Sequence, residues 1–425
     1  MKFNFALVIS GLTFASALHV PISFSEEAGL QRQIVDTSRG WLSHYIYGES
    51  SESIDKATPL EVSENAWDVL KNDPKKFSKV CDTLLPLYFS PSAVDHIKNE
   101  KDYTLFVPTN DAIPDHKEKD KGCASHDETD IPNYFGKLYA EARKSHTFDD
   151  EERKKHFSRF VEAVVMYHTV DQKLDVKTLH DFSTVETILT EPNTLNGAGQ
   201  RLRIEQQFVP PATVINHFAK ISTQDIKSSN AVIHALDHVL IPPPSAINAL
   251  FIFAREFSIF TSALQKVGLA PLLDLSLDGK RGNGHLTINA PLNSAFEKLP
   301  PKVLGFLFSP LGTEHLKRLL EYHIVPENSI FIDFQSNKQA KSNENDDLFH
   351  KKVKAKTLLK DADPIEYELI KSQTVPYGPY SFDVKVQGKS VSWHDGIARN
   401  AAVQVLDELL IPPKEKNQWA SIYQL

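Results

Sequence analysis

Four residues of this chain have side chains that could hold a metal: Cys81, His116, Cys123 and His126, the last two spaced Cys-x-x-His. Zinc takes such nitrogen and sulfur donors, usually four of them around a tetrahedron. However, Cys81 falls in a helical pattern and the other three in a charged loop, so the spacing does not make a metal site. Cys81 and Cys123 are also the only two cysteines. In an oxidising compartment they could close one loop of about 43 residues, worth roughly 3–4 kcal/mol; the other reading is two unpaired thiols. Asp127, Glu128 and Asp130 lack the glycine turn of a helix–loop–helix calcium binder and read as a solvated loop. No Gly-x-Ser-x-Gly, His-Glu-x-x-His or Gly-x-x-x-x-Gly-Lys-Ser/Thr occurs. The glycine-rich run 278–284 precedes a strand pattern instead of following one, so it reads as a turn and not as a phosphate cradle. No catalytic, cofactor or metal residue is named.

The positions that recur are more informative. Asn230-Ala-Val-Ile-His-Ala-Leu-Asp237 through Pro243 returns near the end of the chain as Asn400-Ala-Ala-Val-Gln-Val-Leu-Asp407 through Pro413. Upstream, Thr104-Leu-Phe-Val-Pro108-Thr-Asn110-Asp111-Ala answers to Thr287-Ile-Asn-Ala-Pro291-Leu-Asn293-Ser-Ala, and between these boxes stand Tyr167-His168 and Tyr322-His323. Three boxes in one order, twice, mean a duplicated domain, too long for a solenoid unit. The stretch from Pro108 to Tyr167 is nearly twice as long as that from Pro291 to Tyr322. The stretch from His323 to Asn400 is in turn longer than that from His168 to Asn230. The copies therefore differ by insertions in surface loops, where added length costs little.

The expected organisation is a signal peptide over 1–17, an arm or linker over 18–58, a first domain over 59–244, a second over 245–414 and a tail over 415–425. The first domain carries a charged insertion at about 115–157, the second a polar one at about 335–347. The signal rests on Lys2, an apolar run from Phe5 to Phe14 and the small-x-small triplet Ala15-Ser-Ala17. No later segment has eighteen uninterrupted apolar residues, so no transmembrane anchor is expected. A scan finds no Asn-x-Ser/Thr acceptor for N-glycans.

Within each copy the spacing predicts helices over Glu64–Leu70 and Lys75–Leu84, with Phe77, Val80 and Leu84 on one face, and a matching helix at Phe257–Leu264. Strands are expected at Thr104–Val107, Leu286–Ile288 and Tyr380–Val386. A helix over Asp149–His168, capped by Asp149, would bury Phe157, Phe160, Val161, Val164, Val165 and His168. Each Asn-to-Pro-Pro box reads as a strand ended by its prolines.

A net charge of −8 gives no sign of nucleic-acid binding. The 17 histidines would turn it positive if all were protonated, but the ordinary spread of histidine environments argues that they do not titrate together.

The boxes resemble the fasciclin-type (FAS1) domain family and look like its fungal members, over about residues 59 to 413. The first copy is the nearer match; Leu292 and Ser294 depart from the family pattern. The resemblance implies an α+β fold of two tandem FAS1-type domains, each a small β-sandwich-like core with flanking helices. It implies a non-enzymatic adhesion, wall or matrix role with an unknown protein or polysaccharide partner, in a secreted, extracellular or wall location. The alternatives are a soluble vacuolar or lumenal protein of unknown role, and a hydrolase or ligand carrier with a site between the two domains. In some relatives the Tyr-His region is linked to receptor binding. Here the apolar stripe preceding each histidine argues instead that Tyr167, His168, Tyr322 and His323 support the core. Asn110, Asn293, Asp237 and Asp407 are expected as caps and turn-fixing side chains.

Overall fold

The computed structural model describes residues 63–84, 95, 97–113, 159, 161–191, 193–208, 210–275, 282–334, 348–373 and 380–415. The signal and arm, both insertions, the start of the long helix and the tail after Glu415 lie outside these, as do Cys123, His116 and His126.

The first repeat has strands β1 (Tyr103–Pro108), β2 (Thr169–Val170), β3 (Thr184–Thr190), β4 (Gly199–Phe208), β5 (Pro211–Ile215), β6 (Ala219–Lys227) and β7 (Ala231–Leu236). They form one sheet in the order β2-β1-β7-β6-β5-β4-β3, which curls until its edge strands β2 and β3 approach each other. The second repeat has β8 (Leu286–Pro291), β9 (Ile324–Pro326), β10 (Phe349–Ala355), β11 (Ile365–Gln373), β12 (Tyr380–Val386), β13 (Lys389–Ser390), β14 (Trp393–Ala398) and β15 (Ala401–Leu406). These make two four-stranded sheets, β14-β15-β8-β9 and β10-β11-β12-β13. Tyr322, Val325, Ile330, Tyr367, Val384 and Leu410 fill the space between them as one core.

Two of the boxes are adjacent strands. β1 pairs in parallel with β7 from Tyr103↔Ala231 to Pro108↔Leu236, and β8 with β15 from Leu286↔Ala401 to Pro291↔Leu406. All six residues of β1, β8 and β15 are buried. Helices cover one face and strands the other, so the apolar run is continuous where a half-exposed strand would alternate. Pro108 and Pro291 close their strands without needing an amide, and the next residue restores the ladder: Thr109 N donates to Leu236 O, Leu292 N to Leu406 O, both at 2.9 Å. Pairing stops at Leu236 and Leu406, well before the prolines; after a bend at Asp237–His238 and Asp407–Glu408, Val239–Leu240 and Leu409–Leu410 return to the core.

The helices start and stop for local reasons. Ala66–Asn72 is capped by Asn65, and Asp73 caps Pro74–Ser78, whose Pro sits in the first turn. The predicted Lys75–Leu84 helix is thus split, its second half becoming a π turn over Lys79–Leu84. Phe77 and Val80 are buried as the spacing predicts. In the second repeat Ala254–Lys266 runs unbroken and buries Phe257, Phe260, Ala263 and Leu264. Of the long helix before His168, the described part over 161–167 buries Val161 and Val164, with Val165 half-buried.

Candidate functional site: the repeated boxes and the seam between the repeats

The box side chains are bonded to backbone, and in matching ways in both copies. His168 holds Val164 O at Nδ1 (2.6 Å) and accepts from Leu240 N at Nε2 (3.0 Å). His323 does the same with Leu319 O (2.8 Å) and Leu410 N (3.0 Å). Each histidine therefore ties its helix end to the extended half of the Pro-Pro box. Nδ1 must carry the proton and Nε2 the lone pair, so both rings are neutral. Burial, only partly offset by the carbonyl at Nδ1, pushes each down to about 4.

Tyr167 is buried and donates to Arg201 O, while Asn216 Nδ2 donates to its hydroxyl, both at 2.8 Å. Tyr322 accepts from Gln387 Nε2 at 3.0 Å. Asn216 and Gln387 both lie in hairpin turns with left-handed backbone, at φ 50° and 52°. Each box tyrosine thus pins a turn whose conformation asparagine tolerates and glutamine less readily.

Asn230 Oδ1 accepts from Ala66 N (2.8 Å), and its Nδ2 donates to Ile97 O (3.0 Å) and Glu100 O (2.9 Å). Asn400 repeats the pattern with Ala246 N (2.9 Å), Leu273 O (3.2 Å) and Asn283 O (2.7 Å). Each joins the first helix of its repeat to the segment entering the central strand.

Asn110 and Asn293 differ from the expectation of helix starters. Neither caps the short helix it begins; the preceding residues, Thr109 and Leu292, hold the cap position without a side-chain bond. Instead, Asn110 accepts from Lys79 N (2.9 Å) and donates to Lys75 O (2.8 Å) and Ser78 Oγ (3.1 Å). Asn293 accepts from Ile259 N (2.9 Å) and donates to Arg255 O and Ser258 Oγ (both 3.0 Å). They clamp another helix, distant in the chain, which sequence spacing does not show. Asp237 fixes a turn by accepting from Lys220 N at 2.6 Å, whereas exposed Asp407 meets only Lys298, at 3.5 Å. Asp111 is exposed in the first turn after β1. Cys81 is buried; its pairing with Cys123 falls outside the described residues.

A second polar assembly, which the sequence reading missed, lies where the repeats meet. Trp393 of β14 meets two side chains of the first repeat: the Arg203 guanidinium lies 4.9 Å over its ring, and the His217 ring centroid is 4.2 Å away. Arg203 Nη1 and His217 Nε2 are buried with no hydrogen-bond partner; the guanidinium lies against the indole face instead. Glu205 holds both, with Arg203 Nε at 2.7 Å and His217 Nδ1 as its other partner. Burial would raise the Glu205 carboxyl, but His217 and Arg203 together hold it down at about 2. Beside this slot Asp395 accepts from Ser183 Oγ at 2.6 Å, Asp333 accepts from Thr184 N at 2.7 Å, and Arg201 lies 5.0 Å over the Phe334 ring. Leu195 of the first repeat packs with Phe331, Phe334 and Ala402 of the second. Gln200 donates to Arg399 O (2.9 Å), Leu195 N to Gly284 O (3.0 Å), and Arg399 pairs with Glu191. Gly284 is required here, since a Cβ would lie 1.4 Å from Asn193 O. A single tryptophan on one strand and an arginine in the other repeat give no periodic signal, so this seam is legible only in three dimensions.

The fasciclin domain family model matches residues 141–242 and 255–412, more than half of the 425 residues, and the chain belongs to that family. It is similar to Stabilin-2 of Rattus norvegicus, 28% identical over 199 residues, which covers 43% of this chain and 13% of that protein. It is similar to transforming growth factor-beta-induced protein ig-h3 of Sus scrofa, 24% identical over 251 residues, covering 59% and 30%. It is also similar to aurofusarin biosynthesis cluster protein S of Gibberella zeae, 32% identical over 134 residues, covering 31% and 32%. The chain thus spans between 13% and 32% of the length of these relatives. Among the described residues no helix is long and apolar enough to cross a membrane.

Proposed function

We propose that this is a non-enzymatic binding module of the secretory route, in which two FAS1 domains over about 59–244 and 245–414 present a fixed pair of surfaces for adhesion to a wall, matrix or cell surface. The observation that carries this reading is that the chemically capable box residues, Tyr167, His168, Tyr322 and His323, are buried and committed to fold-internal hydrogen bonds in both copies. Family membership supports it. The partner, a protein or a polysaccharide, then meets the parts in which the copies differ, the insertions at about 115–157 and 335–347. The apolar leader and small-x-small triplet support entry into the secretory route, and the similarity to a Gibberella zeae protein supports a fungal source.

The test is fractionation of the native producer by immunoblot, followed by adhesion of purified protein to the fraction that holds it. Recovery from medium or wall, with adhesion lost when either insertion is replaced by a short Gly-Ser linker, is expected. Recovery only from vacuole or internal lumen would replace adhesion by a lumenal role.

A further inference from the structure

Two carboxyl groups of the second repeat face the first across the seam. Asp395, with no solvent exposure, accepts from Ser183 Oγ (2.6 Å), from Ile332 N (3.2 Å to each oxygen) and from Gln404 Nε2 (3.1 Å). Asp333 accepts from Thr184 N at 2.7 Å, so the two carboxyls dock on consecutive residues of the first repeat, and the amide just before Asp333, Ile332 N, bonds Asp395. Around them stand Glu186 on β3, Arg201, Arg203 and Glu205 on β4, His217 in the turn before β6 and His394 on β14. Four carboxylates therefore share two guanidiniums. Arg201 is already bonded to Thr184 and pairs with Glu186 at 3.6 Å, and Arg203 pairs with Glu205. Two neighbouring carboxylates without a dedicated cation are costly to enclose, and one proton between them removes the repulsion.

We propose that the Asp333–Asp395 pair is a proton-operated latch: docking of the second repeat onto the first takes up a proton at this pair, so mild acid tightens the seam.

Burial first, and then the Asp395 charge, push the Asp333 carboxyl up to about 6, and burial pushes Asp395 upward too. The sign follows from linkage. A carboxyl raised by docking from its ordinary 3.8 contributes stability that is full below 3.8 and is lost as pH rises through 6. The two imidazoles act in the opposite sense. Burial lowers His217 and His394 below 6.5, so they favour docking in the neutral range and disfavour it in acid. A difference between two proteins that share those histidines isolates the latch.

The experiment is a carboxyl-carbon NMR titration of the full chain with Asp333→Asn and Gly284→Ala, alongside hydrogen exchange at the Thr184 amide. One aspartate resonance titrating near 6, absent from Asp333→Asn, is expected. Protection of Thr184 should rise about 25-fold more in the unaltered chain than in Asp333→Asn between pH 7.5 and 4.5. Gly284→Ala, which forces Asn193 away from the second repeat, should return that resonance toward 3.8. A resonance already at or below 3.8 in the unaltered chain overturns the proposal. So does one that stays near 6 in Gly284→Ala, because the shift would then belong to the second repeat alone. Equal pH dependence of Thr184 protection in the chain and in Asp333→Asn overturns it as well.

Discussion

The two repeats agree at their clamps and differ at the middle of their central strands. In the first, Phe106 of β1 lies beside its register partner His234 of β7, their rings stacked at 5.4 Å. In the second, the matching pair is Asn289 and Gln404. Asn289 bonds the Tyr367 hydroxyl at 2.8 Å, and Gln404 bonds Ile330 O at 3.0 Å and Asp395 at 3.1 Å. One copy fills this position with an aromatic pair, the other with a polar chain that ends at the seam. The asparagine, threonine and histidine clamps are indifferent to that change. Thr104 binds Gln172 O (2.6 Å) and Leu174 N (2.8 Å), just as Thr287 binds Asn328 O (2.7 Å) and Ile330 N (2.9 Å). The repeated residues therefore hold the frame, while the unlike pair joins the second frame to its neighbour.

The largest expected effect comes from breaking that equality. Asn230→Ala and Asn400→Ala each strand several buried backbone groups and should cost about 3 kcal/mol or more, by similar amounts in the two repeats. Chemical denaturation would show it, and a large effect in only one copy would mean that the matching bonds do unlike work. Next is Trp393→Ala, which removes the ring that contacts both Arg203 and His217. About 2–3 kcal/mol of seam stability should be lost, with limited proteolysis then cutting near 242–245 while each repeat keeps its far-ultraviolet signal.

Acid is expected to act on both frames alike. His168 and His323 are neutral in the fold at about 4 against an ordinary 6.5. Their contribution is full above 6.5 and is lost as pH falls through 4. Thermal unfolding of His168→Gln and His323→Gln from pH 7 to 4 should flatten relative to the unaltered chain. The smallest effect separates the two aspartates that end the boxes. Asp237→Ala, which loses a turn bond, should cost about 1 kcal/mol. Asp407→Ala, an exposed partner of Lys298, should change denaturation by no more than about 0.5 kcal/mol.

Much of the frame was legible in the sequence. Thr104-Leu-Phe-Val and Ala-Val-Ile-His-Ala-Leu carry enough β-branched and apolar residues to be strands, and their recurrence marks two domains. That they pair with each other was not legible, because Thr104 and Ala231 lie at opposite ends of the first repeat and pairing has no local signature. Asn110 misled for a related reason: asparagine before a helical pattern is a cap by local rules, but its partners lie on a helix packed alongside. The seam left no trace, since Arg203, His217 and Trp393 matter only once β4, the turn before β6 and β14 meet. The buried histidines bear on the charge argument too. At least His168, His217, His323 and His394 resist protonation through burial, so the full complement does not switch sign together.

The central claim is that the repeated boxes hold backbone and do not contact a partner, and Tyr167→Phe tests it most directly. This change deletes one hydroxyl that joins Arg201 O to Asn216. Thermal unfolding and adhesion should be measured on the same folded preparation. A lowered unfolding temperature with unchanged adhesion per folded molecule is predicted. Unchanged stability with lost adhesion would contradict the account.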